Sequence, residues 1–140
     1  MGFPGKNLSL VLGRPLCAYP LMAAKASRYI DRIFVSTDSK EIENVARAYG
    51  AEFIHRPPEL ATKEALGEDV FAHGYREIVK RLEAEGGQIE FMVLLFANAA
   101  TISDELIDQG IEKLRADPAL DSAVSVSVYN MWSPLRARKL

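Results

Sequence analysis

The chain has 140 residues, of which 49% are hydrophobic and 26% charged, and a formal net charge of −2. That size and balance suit one globular domain with a real core, and they exclude a general attraction to nucleic acid or to an anionic membrane surface. The single cysteine, Cys17, excludes an intrachain disulfide and fits a reducing, cytoplasmic setting, and no apolar run approaches the ~18 residues of a membrane span.

The opening stretch, Met1-Gly2-Phe3-Pro4-Gly5-Lys6-Asn7, is a loop by composition. Glycine allows positive φ and proline locks φ near −65°. Lys6 and Asn7 add a mobile cation and an amide, so the loop can wrap an anion with its N–H groups while the lysine neutralises it. The plain alternative is a frayed terminus carrying a solvated lysine. A short apolar run over residues 8–12 follows, closed by Gly13-Arg14-Pro15. From Leu16 the spacing of Ala18, Tyr19, Met22, Ala23 and Ala26 is helical, with Cys17 on its apolar face and Pro20 near the start or at a kink. Residues 30–37 read as a buried strand, ended by Asp38 and Ser39, either of which can cap the next helix. That helix covers residues 40–49 and stops at Gly50.

Residues 51–55 form a second, shorter strand, and Arg56 must be extended because a proline follows it. Residues 59–67 read as a loop. A long helix over 68–84 turns Val70, Phe71, Tyr75, Ile78, Val79 and Leu82 inward. Residues 91–96 are the most apolar stretch of the chain and read as a strand buried on both faces, hence parallel and central. A loop over 97–101 leads to Ser103, which caps a helix ending near Asp117. Strict alternation over 122–128 predicts a last strand. The basic tail carries Trp132, which together with Tyr129 either anchors a partner or is buried. His55 and His73 lack the company that a metal site needs. No linker or repeat divides residues 1–140, so a single domain is expected.

Strands alternating with helices predict a parallel α/β sheet whose ligands lie outside the carboxyl ends of its strands. Residues 36–38, the stretch after His55 and residues 97–101 occupy those ends.

The motifs GFPGKN (2–7), GRPL (13–16), DRIFVSTDSKEIENVARAYGAE (31–52), RPPELA (56–61) and DSAVSVS (121–127) together resemble the acylneuraminate cytidylyltransferases, or CMP-sialic acid synthetases. The resemblance runs from end to end. It implies a Rossmann-like, three-layer nucleotidyltransferase fold with a mostly parallel sheet. It also implies transfer of CMP from CTP to an acidic, nonulosonic (sialic-type) sugar with release of pyrophosphate, Mg²⁺ as cofactor, and a cytoplasmic homodimer. Carried over by motif, Lys6 contacts the triphosphate and serves catalysis, and Gly5, Lys6, Asn7 and Arg56 bind the nucleotide. Asn98 and Thr101 are expected on the sugar substrate, and no metal ligand is identified. Arg56 has a plainer alternative as the surface partner of Glu52 or Glu59, and Asp38 reads as a helix cap rather than a metal ligand.

The chain also departs from that family. Members carry an apolar strand and a longer phosphate loop before GFPGKN, and a later segment with the aspartates that hold Mg²⁺. The sheet is therefore expected to lack its first strand and the chain to be partial. LLFANAATIS (94–103) stands where the family has LLQPTSPLR, putting Phe96 and Asn98 in place of a glutamine and a threonine that face nucleotide or sugar. ATKEALG (61–67) likewise replaces ATDTASS and loses hydroxyls. The alternatives are a catalytically incomplete binding module with a nucleotide fold, or a nucleotidyltransferase for another sugar.

Overall fold

The computed structural model describes residues 5–62 and 64–126. After a 3₁₀ turn at Lys6–Leu8, two very short strands, β1 (Leu10–Val11) and β2 (Arg14–Pro15), pair antiparallel. Leu12 and Gly13 join them with φ of 48° and 80°. Two successive positive φ values are the two-residue hairpin turn that favours Asn-Gly. Leucine pays about 1–2 kcal/mol there, and its side chain is 93% exposed, so no packing offsets the strain. Leu12→Asn is accordingly expected to raise stability by roughly 0.5–1 kcal/mol, read as a higher midpoint in urea. The hairpin continues in backbone bonds from Leu16 N–H to Ser9 and from Cys17 N–H to Asn7, which fasten the opening turn to the next helix.

That helix, α1 (Ala18–Ala26), buries Ala18, Pro20, Leu21, Ala23 and Ala24. Pro20 sits in its first turn, where a missing N–H costs nothing. Cys17 is enclosed at its start, and burial pushes the thiol's pKa up. The small alanines let α1 approach two groups of residues at once. Leu21 joins Ala46 and Ala51, flanked by Ile33, Val35, Val45 and Tyr49. Ala23 joins Ile107 and Ile111, flanked by Tyr29, Ile30, Phe91, Val93, Leu95 and Ile102.

The centre of the fold is a strand–helix–strand unit: β3 (Phe34–Thr37), α2 (Lys40–Ala48) and β4 (Glu52–His55). The two strands pair in parallel, Phe34 opposite Glu52 and Thr37 opposite His55. Ser39, not Asp38, caps α2: its side chain accepts from the Ile42 N–H. Glu43 is buried on α2 between Lys40 and Arg47, whose hydrogen bonds, Lys40's first, hold its carboxyl below the usual range. A 3₁₀ turn at Pro58–Leu60 leads to α3 (Gly67–Ala84), and α4 (Asp104–Ala116) closes the described chain with Ser103 as its cap. No helix of the described residues is long and apolar enough to cross a membrane.

Two expected strands are not found. Residues 91–96 make no ladder among the described residues. Phe91, Val93 and Leu95 pack toward α1 and α4, whereas Met92, Leu94 and Phe96 are exposed. The alternation of a strand is present but not burial on both faces: one row of side chains packs on α1 and α4 and the other row is exposed. Residues 122–126 likewise join no sheet, and Val124 and Val126 are exposed. Tyr129, Trp132 and the end of that expected strand lie outside the described residues.

Asp108 clasps the two ends of the fold. It is buried on α4 and accepts from the Ser27 hydroxyl at 2.6 Å and from Arg28 Nε at 2.8 Å, just past the end of α1. The Ser27 bond first, then Arg28, holds this carboxyl below its ordinary value. A depressed carboxylate contributes stability above its unfolded pKa of about 3.9 and loses it as pH falls through the folded value. The melting-temperature gap between the native chain and Asp108→Asn should therefore be widest near neutral pH and narrow in acid below about pH 4.

Candidate functional site

Of the residues singled out in the sequence, Arg56 stands at the carboxyl ends of β3 and β4, and Gly5, Lys6 and Asn7 lie on the opening turn. Gly5 begins the opening turn with φ 71°, and an added Cβ would meet nothing within 4 Å, so the conformation rather than crowding selects glycine. Leu8 N–H closes the turn on the Gly5 carbonyl at 2.9 Å. The turn packs against α2, the helix that rises from the end of β3. Lys6 is exposed on it and forms no ion pair among the described residues. The neighbouring cations Lys40 and Arg47 are both engaged with Glu43.

Asn7 carries the less expected feature. Its backbone carbonyl accepts from Cys17 N–H at 2.9 Å, which fixes the residue against the start of α1. Its side-chain Oδ1 is buried and has no donor among the described residues. A buried acceptor without a partner costs about 1–3 kcal/mol, which a ligand N–H or hydroxyl can recover.

Arg56 follows β4 directly, and its N–H extends the parallel ladder to the Thr37 carbonyl at 3.0 Å. Its guanidinium folds back across the end of β3, donating to the Ser36 carbonyl at 2.5 Å and reaching the Ser36 hydroxyl at 3.4 Å. Neither Glu52 nor Glu59 is its partner. Glu52 belongs to Arg32, at 2.7 Å, with Arg81 at 3.9 Å, and the Arg32 hydrogen bond leads in lowering its pKa. Ser36 thus holds one side of a planar fork, and the Nη1 donors of Arg56 have no partner among the described residues. Thr37, buried beside it, accepts from Ser39 N–H and shapes the turn into α2.

Asn98 and Thr101 are exposed on a loop closed by Ala99 N–H to the Phe96 carbonyl at 2.9 Å and Ala100 N–H to the Asn98 carbonyl at 3.0 Å. No described bond joins either residue to Lys6, Asn7 or Arg56. Phe96, which opens the loop, meets Phe71 of α3 edge to face, with ring centroids 6.1 Å apart. The described contacts thus join Arg56 to the end of β3 and the opening turn to α1 and α2, and none joins Lys6 or Asn7 to Arg56 or either group to the 97–101 loop. Sequence reading took Phe71 only as an inner-face helix residue, because its aromatic partner lies 25 positions away.

Among the described residues no three His, Cys, Asp or Glu side chains gather to hold a metal ion. His55 is exposed and meets Phe53 edge to face, and the buried Nδ1 of His73 has no partner among the described residues. Two open clefts indent the surface, one along Tyr75, Val79, Leu82 and Ile89, the other between Lys25, Arg32, Tyr49 and Glu52. The second lies at the amino ends of β3 and β4, away from the edge where a parallel sheet binds its ligands.

A family model described as cytidylyltransferase matches residues 1–139. The chain belongs to the cytidylyltransferase family. It is 38% identical over 72 residues to the N-acylneuraminate cytidylyltransferase of Escherichia coli, covering 51% of this chain and 17% of that protein. It is 28% identical over 136 residues to a Helicobacter pylori protein named pseudaminic acid cytidylyltransferase and UDP-2,4-diacetamido-2,4,6-trideoxy-beta-L-altropyranose hydrolase, covering 96% of this chain and 25% of that one. This chain therefore spans a quarter or less of the length of these two relatives. Among solved structures, a CMP:2-keto-3-deoxy-manno-octonic acid synthetase complexed with CTP superposes with a TM-score of 0.59 at 21% identity, over 84% of this chain and 44% of that one. The chain shares the nucleotidyltransferase fold of that enzyme, and its α/β order and parallel β3–β4 pair agree with it.

Proposed function

We propose that this cytidylyltransferase carries the CTP-binding part of an enzyme that transfers CMP from CTP to an acidic, nonulosonic-type sugar. The observation that carries the proposal is the buried, unpartnered Oδ1 of Asn7 beside the exposed Lys6, on a turn packed against α2. A hydroxyl oxygen of the sugar attacks the α-phosphorus, the bond to the bridging oxygen breaks, and pyrophosphate leaves as the hydroxyl proton passes to solvent. Such transfer depends on positioning and on cations at the phosphate oxygens rather than on a covalent nucleophile. Lys6 supplies that charge as the catalytic residue, and the turn at Gly5 allows close approach. Asn7 accepts from the nucleotide, and the free edge of Arg56 faces the base. Asn98 and Thr101 offer hydrogen bonds to the sugar.

A homodimer, a cytoplasmic location and a need for Mg²⁺ belong to the same proposal. A second reading is nucleotide binding without turnover, for which Phe96 and Asn98 speak, standing where the family has a glutamine and a threonine.

The test is a titration of the chain with CTP and with ATP, then pyrophosphate release from CTP offered with a panel of acidic sugars, with Mg²⁺ and with chelator. Saturable binding that prefers CTP, and release that stops on chelation, is the expected result. Binding without release by any acid supports the non-catalytic reading, and no saturable CTP binding overturns both.

A further inference from the structure

We propose that two copies of this chain pair by seating the β1–β2 hairpin of each in the apolar cleft beside α3 of the other. This rests on the homodimer of the proposed function and gives that dimer a surface.

Every residue from Ser9 to Arg14 is exposed, and the hairpin tip holds Leu10, Val11 and Leu12 at 70%, 39% and 93% exposure. Three successive apolar side chains in water are an unusual end for a hairpin whose turn favours Asn-Gly. Leu12 is also the only non-glycine residue with positive φ among the described residues. Backbone strain and apolar exposure thus meet at one position, and nothing in the chain's own fold offsets either. A second surface that buries the side chain does.

The cleft along Tyr75, Val79, Leu82 and Ile89 offers about 250 Å³. An apolar cavity of about 150 Å³ already takes a benzene-sized group, so leucine side chains fit. None of the 18 residues of α3 is fully buried, so the helix has apolar surface left to cover. Charge selects what covers it. The first thirty residues carry Lys6, Arg14, Lys25 and Arg28 and no acid, whereas residues 83–90 carry Glu83, Glu85 and Glu90 and no cation. Arg14 in β2 and Glu83 at the cleft are both exposed, and neither forms an ion pair among the described residues. Hairpin against hairpin would set Arg14 on Arg14, a like-charge contact that opposes association. Hairpin in cleft sets Arg14 beside Glu83, and exchange in both directions closes a two-fold pair with two equal contacts.

Sedimentation velocity on the full chain, without CTP and from about 1 to 100 μM, reads the pairing. A concentration-dependent shift from monomer to dimer is expected. Leu12→Asn should weaken pairing about tenfold or more while raising the urea midpoint, two opposite changes that a purely structural leucine does not produce. Arg14→Glu and Glu83→Arg should each weaken it about tenfold or more. The double variant restores opposite charges and should return to within about threefold of the native chain. Both side chains are exposed and unpaired, so these variants keep the fold, and circular dichroism checks it. Monomer at every concentration overturns the pairing. A dimer that all three substitutions leave intact, or a double variant no better than the single ones, overturns this surface while leaving a homodimer in place. Flotation of the chain with vesicles of anionic lipid, in place of self-association, would assign the hairpin to a membrane surface and overturn the second copy. A separate CTP titration of the same samples shows whether the nucleotide reading has failed, independently of the pairing.

Discussion

Arg56→Ala should weaken CTP binding by about tenfold to a hundredfold, the ~1–3 kcal/mol of a charge-assisted contact. The side chain is half-buried with one edge on Ser36, so its remaining donors are preorganised at the carboxyl edge of the sheet. Arg56→Lys should recover little of the loss. A lysine keeps the charge but has no planar fork to hold the Ser36 carbonyl and a ligand together. Isothermal titration with CTP measures both variants, and circular dichroism checks that the β3–β4 pair survives. Unchanged affinity in Arg56→Ala would reduce the residue to a brace across the two strands.

Ile54→Ala should cost about 2–5 kcal/mol, much of the roughly 5–15 kcal/mol by which a domain is normally stable. Ile54 is 2% exposed in the middle of β4 and is the largest fully enclosed side chain among the described residues. Much of the interior is alanine (Ala18, Ala23, Ala24, Ala46 and Ala51), so few long side chains are available to refill the space. Ile54→Val, which removes one methylene, should cost about 0.5–1.5 kcal/mol. Urea midpoints of the two variants give the test. Near-equal values for both would mean that the surroundings collapse onto the gap.

The helices and the central parallel pair were legible because each announces itself within its own segment. Helical spacing over 40–49 became Lys40–Ala48, and the predicted helix over 68–84 became Gly67–Ala84. The β-branched run to Thr37 and the stretch to His55 became β3 and β4, shortened where no partner pairs with them. The run over 91–96 shows the limit. Apolar continuity states that a segment avoids water, whereas a ladder is a relation between two backbones, and one segment's pattern carries no information about the other. The β1–β2 hairpin escaped notice because each strand is two residues long and its turn is Leu-Gly, not Asn-Gly.

At the candidate site, sequence supplied residue types but not directions. Two acids near Arg56 in sequence suggested an ion pair. The parallel register instead places Ser36 one strand away from Ile54, two positions before Arg56, and the guanidinium turns to that carbonyl. The orphaned acceptor of Asn7 and the meeting of Phe71 with Phe96 are likewise tertiary facts that no local pattern could announce.

The clasp at Asp108 also bears on the order in which the fold assembles. Its bond to Ser27 joins residues 81 apart in sequence, whereas β3, α2 and β4 close on one another within one short stretch of chain. Closing the longer loop costs more chain entropy, so the local unit should form early and the clasp late. An interaction absent from the transition state governs how fast the native chain opens rather than how fast it folds. Loosening Asp108 should then steepen escape from the native state and leave refolding nearly untouched, making this carboxylate a latch on lifetime.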